Sequence, residues 1–378
     1  MRRNDIVMHI NDFLLERFFG KYEFSVEYLL CASDCESFSI QEILSLEQRA
    51  GDAFLHLNLG YTESQGNPDL RREIASLYHS LIPDDILVCA GAEEGIFIAM
   101  NILLNPGDHC VVQTPAYQSL HEIARAIGCD VTGWQMEDND GWHISVDSLK
   151  DAIQENTKLI IINSPHNPTG YQFTRTEFEQ IRDIAATHDI WIFSDEVYRE
   201  LEYNPAMRLD GMTDKYKKGI SLGVMSKAYG LPGLRLGWLA CADTSFLEQA
   251  RAFKDYTTIC TSAPSEYLAT IALRHRDILL KRNITIITEN IRLFSAFCDK
   301  HQGLFDWKPP LAGSISFPRL DVIEGSKRFC DDLMEKYGVL LMPGTLFSYD
   351  DMHVRVGFGR KNFPEGLARL NAYIKTRS

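Results

Sequence analysis

The sequence lacks any excess of positive charge: 38 Lys and Arg stand against 52 Asp and Glu, a formal net charge of −14. That balance argues against an extended nucleic-acid or anionic-membrane surface, where clustered cations are needed, and still permits a small positive pocket. No apolar run approaches the roughly 20 residues of a membrane span. Arg2 and Arg3 precede only a short, charge-broken apolar stretch up to Asp12, which does not read as a signal peptide. Nine cysteines are scattered and odd in number, so a disulfide framework is not expected. Cys31 and Cys35 are close, but no second Cys or His pair follows at zinc spacing, and no metal site is expected. Internal repeats, low-complexity tracts and Pro- or Ser-rich linkers are missing too. What remains is an ordinary globular chain, expected to be cytoplasmic, whose 378 residues suggest two domains.

The most informative stretch is Ser226-Lys227-Ala228-Tyr229-Gly230-Leu231-Pro232-Gly233-Leu234-Arg235-Leu236-Gly237. A lysine ends an apolar run, and an arginine follows eight residues later among glycines. A cation beside a lysine favours the neutral amine that a nucleophile requires. The planar guanidinium suits a phosphate. An aldehyde cofactor carrying a phosphate needs both groups, and pyridoxal phosphate is that cofactor. The same stretch could also be an exposed lysine in a Gly-rich loop, so the rest of the chain has to decide.

Apolar strands are predicted at Ile86–Cys89, Cys110–Gln113, Leu159–Ile162, Ile190–Phe193 and Ile220–Met225, separated by helical patterns such as Glu93–Leu104 and Thr176–His188. That alternation predicts a largely parallel α/β sheet covered on both faces. A long helical pattern is expected from Ser265 to Lys300. Short strands at Ile315–Phe317, Val339–Leu341 and Val354–Val356 follow it, in a smaller α+β unit. The helical stretch Phe13–Phe19 needs a surface to pack on and is assigned to that unit. The division expected is 46–290 for the large domain and 1–45 with 291–378 for the small one.

Ligands of open parallel sheets bind beyond the carboxyl ends of the strands. The first strand leads to Gly91-Ala92-Glu93, a small-residue helix start fit for a phosphate. The others lead to Tyr117, to Asn167 within Asn163–Gly170, to Asp195 and Tyr198, and to Lys227. Singly, Asn167 could be a turn residue, Asp195 a helix cap and Tyr117 a packing ring. Together, successive strand ends deliver what one bound ring would need.

With the segment Tyr61 to Arg71, Asn167-Pro168-Thr169-Gly170, Asp195-Glu196-Val197-Tyr198, Ser226-Lys227 with Arg235, and Arg355-Val356-Gly357-Phe358, the chain resembles the class I/II aminotransferases of fold-type I from about Leu57 onward. The resemblance implies an α/β fold with a large domain on a mainly parallel seven-stranded sheet, a smaller α+β domain, pyridoxal phosphate as cofactor, and a homodimer. It implies catalytic roles for Lys227, Asp195 and Tyr198, with Lys227 forming the Schiff base and shuttling the proton and Asp195 facing the ring nitrogen. Asn167 and Tyr198 would bond the ring oxygen and Tyr117 would stack on the ring. Gly91, Ala92, Glu93, Ser226 and Arg235 would surround the phosphate side, with Tyr61 arriving from a neighbouring subunit. Arg355, with Asn167, would take the substrate carboxylate. The activity implied is ping-pong transamination between an amino acid and a keto acid.

Three positions depart from the family pattern. Val224 stands where relatives carry a Ser or Gly, the Ser serving as a phosphate ligand; Cys31–Ser37 lacks the glycine of the N-terminal loop; and Thr257–Pro264 lacks the arginine of dicarboxylate-specific relatives. The last disfavours aspartate and leans toward a neutral or aromatic substrate. Phe18-Phe19 with Ser33 and Ser39, Lys254–Thr258 and Phe317-Pro318-Arg319 are similar to a subgroup around capreomycidine synthases. That similarity keeps an eliminase or cyclase reading open. A regulator carrying an aminotransferase-like domain is disfavoured, since only about 50 residues precede the matching region and the chain is acidic. Gly219-Ile220-Ser221-Leu222-Gly223 matches the hydrolase nucleophile elbow, but the apolar strand is expected to run straight through Ser221.

Overall fold

Runs such as Leu159–Ile162, apolar at every position and rich in β-branched residues, make strands that must be covered on both faces. The computed structural model, which describes residues 9–377 except residue 140, arranges seven strands, such runs among them, in one sheet. The strands are β1 (Ile86–Cys89), β2 (His109–Thr114), β3 (Asp130–Gln135), β4 (Thr157–Asn163), β5 (Trp191–Asp195), β6 (Gly219–Val224) and β7 (Gly237–Ala240). Their order is β1-β7-β6-β5-β4-β2-β3. Only β7 runs antiparallel, against β1 and β6. Every residue of β1, β6 and β7 is buried, as a two-faced apolar strand requires. The register sets Asn163 of β4 beside Asp195 of β5, and Asp195 beside Leu222 of β6. The strands therefore finish in step at one edge.

Helices α1 (Leu14–Tyr22), α2 (Ala92–Leu103), α3 (Ser119–Ile127) and α4 (Arg175–Thr187) fall within one to three residues of the helical patterns in the sequence wherever one was drawn. α4 opens on a reciprocal cap, Thr174 with Glu177, a sequence-local start signal. The long helical pattern from Ser265 to Lys300 is made of two helices, α5 (Ala263–Arg274) and α6 (Arg276–Lys300), broken at His275. No Gly or Pro marks the break. It comes from packing, since α5 lies against the helix Pro68–Ala75 and α6 against the C-terminal helix Phe363–Lys375.

Toward the C-terminus, β8 (Ile315–Ser316), β9 (Met342–Pro343) and β10 (Val354–Gly357) form a small antiparallel sheet with β10 in the middle. The short strand Tyr28–Leu29 pairs in parallel with Val339–Leu340, which ties the N-terminal segment to this region. Arg2 and Arg3 lie outside the described residues. Among those described, all nine cysteines are free, no cluster of metal-ligating side chains occurs, and no helix is long and apolar enough to cross a membrane. Ser221 sits inside β6, fully buried, and donates a hydrogen bond to Glu196 Oε1 at 2.7 Å. The elbow motif is thus a strand interior.

Candidate active site

The sheet's carboxyl edge collects the side chains picked out along the sequence. Lys227 follows β6 by three residues, and its Nζ donates to Ser33 Oγ at 2.9 Å and lies 5.9 Å from the centre of the Tyr198 ring. Asp195 ends β5, 5 % exposed, and accepts from the Val197 backbone N–H at 3.2 Å. Burial, reinforced by Glu93 and opposed by the Val197 bond and Lys227, pushes its carboxyl up to about 7. An isolated carboxylate there is costly, so the position calls for a cationic partner.

A chain of amides joins Asp195 to Arg355. Asn163 takes Gln113 Oε1 on its backbone N–H at 2.9 Å and donates from Nδ2 to the Asp195 carbonyl at 2.9 Å. Its Oδ1 accepts the Asn167 backbone N–H at 2.6 Å, and Asn167 Oδ1 accepts from Arg355 Nη1 at 3.1 Å. Arg355, in β10 and 1 % exposed, also donates from Nε and Nη2 to the Cys31 carbonyl at 3.1 and 2.9 Å. The rings of Phe19 and Phe347 lie 5.8 and 5.4 Å from its guanidinium carbon. Two elements far apart in sequence thus present one fixed, forked donor.

A candidate anion site lies at the start of α2. Gly91 has φ 87°, a conformation that favours glycine, and precedes the helix without a side-chain cap. The first N–H groups of α2 are left for an anion. A Cβ on Gly91 would stand 2.8 Å from Arg235 Nη2, so the guanidinium packs close against the bare backbone at the helix start. Ala92 is the first residue of that helix, and Ser226 is buried just before the lysine. Glu93 accepts from Ser119 Oγ at 3.3 Å, and burial raises its carboxyl above the usual range. Anion cradle, buried acid and lysine together fit pyridoxal phosphate, whose parts are a phosphate, a basic ring nitrogen and an aldehyde.

The N-terminal segment covers this edge. Tyr117 donates to Glu16 Oε1 at 2.9 Å and packs against Phe13 with ring centres 5.0 Å apart. Burial, then Glu93 and Glu16, hold the Tyr117 hydroxyl well above its usual range. Tyr61 behaves differently: it is 91 % exposed and borders another cleft, with Asn58, Thr62, Asn67, Glu266 and Arg274. Sequence reasoning gave no role to Glu16, Asn163 or Ser33. Asn163 was reachable, because it ends a predicted strand. Glu16 and Ser33 were not, since only the fold of the N-terminal segment over the sheet brings them here.

A family model described as aminotransferase class I and II matches residues 28–370. Capreomycidine synthase of Streptomyces vinaceus is 28 % identical over 317 residues, covering 83 % of this chain and 81 % of the relative. A PLP-dependent aminotransferase from Streptococcus suis superposes with a TM-score of 0.92 at 30 % identity, covering 98 % of this chain and 99 % of the other. The PLP-dependent cyclase OrfR gives 0.90 at 29 % identity, with 98 % of both chains covered.

Proposed function

The chain belongs to the class I and II aminotransferase family and is a pyridoxal-phosphate enzyme, and from that premise we propose that it transfers the amino group of an α-amino acid to a keto acid in a ping-pong cycle centred on Lys227. The observation that supports this reading is the convergence at one sheet edge of an amine, a buried acid, a forked guanidinium and an uncapped helix N-terminus. Bound there, the cofactor supplies an electrophilic aldehyde and an electron-accepting ring.

In this reading Gly91, Ala92 and Arg235 hold the phosphate, with Glu93 and Ser226 beside it. Asp195 balances a protonated ring nitrogen, which brings its carboxyl back to the ionised form. Tyr117 and Asn167 flank the ring. Arg355 takes the substrate carboxylate in a bidentate pair and so fixes which way the Cα–H bond points. Lys227 would hold the cofactor and, as a free amine, would take the α-proton, its Nζ standing 5.9 Å from the centre of the Tyr198 ring.

We read residues 46–290 as the large domain and 1–45 with 291–378 as the small one, α6 running unbroken through the boundary. The enzyme is read as cytoplasmic and homodimeric. Leu55, Leu59 and Tyr61 are exposed, and Thr62 donates to the Thr261 carbonyl at 3.1 Å, beside exposed Tyr256 and Ile259. This apolar surface suits a second copy, into whose site Tyr61 would reach.

A second reading, elimination or cyclisation on the same machinery, is favoured by the likeness to capreomycidine synthase and to the OrfR cyclase. Titrating the loaded enzyme with a panel of amino acids and no acceptor separates the two. Transamination bleaches the cofactor band into a stable pyridoxamine spectrum and names the donor. Ammonia or a cyclic product released with the band restored assigns elimination or cyclisation. The substitution K227A is expected to abolish turnover in either case, and normal rates in that variant would refute both.

A further inference from the structure

The three residues Cys31-Ala32-Ser33 span the two groups that the proposed reaction depends on. The Cys31 carbonyl takes two hydrogen bonds from Arg355, while Ser33 Oγ accepts the Lys227 amine at 2.9 Å. Ser33 is 8 % exposed, so this hydroxyl meets the lysine away from bulk water. Its position is fixed through the backbone: Ser314 Oγ donates to the Ser33 carbonyl at 2.6 Å, and Ser314 lies next to β8. Gly357 of β10 donates its N–H to the Leu30 carbonyl at 2.7 Å, and a Cβ on Gly357 would stand 1.9 Å from the Ala32 carbonyl oxygen. The stretch is clamped from both sides and cannot be displaced without moving β10.

We infer that Ser33 is a catalytic residue, the acceptor that stations the free Lys227 amine and stabilises it once it holds the substrate's α-proton. The inference rests on the reading of Lys227 as the acid–base group. In that step the Cα–H bond breaks, its electron pair stays with the substrate–cofactor unit, and the proton forms a third N–H bond on Lys227. A neutral amine donates to the Ser33 oxygen weakly, and an ammonium donates about twice as strongly. The hydroxyl therefore favours the product side of the proton transfer, which is differential stabilisation and not uniform binding. The step is common to transamination, elimination and cyclisation, so Ser33 serves whichever of them the enzyme performs.

Two measurements on S33A and S33T test this. In D2O, exchange of the substrate α-proton by the loaded enzyme is expected to slow about 10-fold in S33A, with KM changed less than about 2-fold, and to recover in S33T, which keeps the hydroxyl. In cofactor-free protein, acylation of Lys227 by a succinimidyl ester near neutral pH, followed by peptide mass, is expected to speed up several-fold in S33A, because the amine is no longer held on the Ser33 hydroxyl. The second measurement does not depend on any assigned activity: altered Lys227 labelling supports the contact even if no amino acid exchanges. Labelling and exchange both unchanged in S33A, or a loss in S33T equal to that in S33A, would overturn the inference.

Discussion

Asp195 shows how one residue is held ready at a cost to the empty protein. Its carboxyl ionises near 3.8 in the unfolded chain, and burial, first among the causes, raises this to about 7 in the fold. Well below pH 3.8 both states are protonated and nothing is lost. As pH rises, the unfolded chain gives up its proton first, so stability falls until the folded group ionises near pH 7 and then levels off. A rise of this size corresponds to a penalty of about 4 kcal/mol. D195N in cofactor-free form is therefore expected to come nearest to wild type in Tm at about pH 3 and to exceed it progressively up to pH 7. Melting curves across that range check it, and a constant gap would refute it. Both the acid and its place at a strand end were legible in the sequence. The raised value was not, because it depends on burial and on Glu93, which comes from the first turn of α2.

At the scale of elements, the proposed phosphate cradle rests on one helix that begins without a cap. α4 satisfies its first N–H groups with Thr174 and Glu177, whereas α2 starts from Gly91 with no side-chain acceptor and faces Arg235. G91A would place a methyl 2.8 Å from Arg235 Nη2 at a backbone angle that side chains rarely adopt. It is expected to weaken cofactor binding about 10-fold or more, by losing or displacing a charge-assisted hydrogen bond worth about 1.5–3 kcal/mol. Equilibrium titration of cofactor-free protein by absorbance gives the answer, and an affinity within about 2-fold of wild type would contradict this account of the cradle. The sequence carried the glycine and the arginine, and strand periodicity placed both near one edge. Their facing one another follows from β7 lying between β1 and β6, which no local pattern encodes. The break at His275 is a similar case: no Gly or Pro stands there, and α5 and α6 pack against different helices.

Across the whole molecule, the exposed Leu55, Leu59, Tyr61 and Tyr256 predict an association that a single chain does not display. Sedimentation is expected to give a dimer, and L59D to shift it toward monomer with weaker cofactor retention, since Tyr61 would then have no neighbouring site to enter. A wild-type monomer with full cofactor affinity would refute that arrangement. By itself, the sequence determined five of the sheet's seven strands, their largely parallel arrangement and the place of Lys227, Asp195 and Asn167 beyond strand ends, because each is a short-range pattern: an apolar run and the polar residues that follow it. Tertiary structure alone decided that Arg355 meets Asn167, that Cys31 caps Arg355, that Glu16 reaches Tyr117 and that Ser33 touches Lys227. Those pairs are separated by 101 to 324 positions in the chain, and contacts of that range are set by how the chain ends fold over the sheet, where sequence periodicity carries no information.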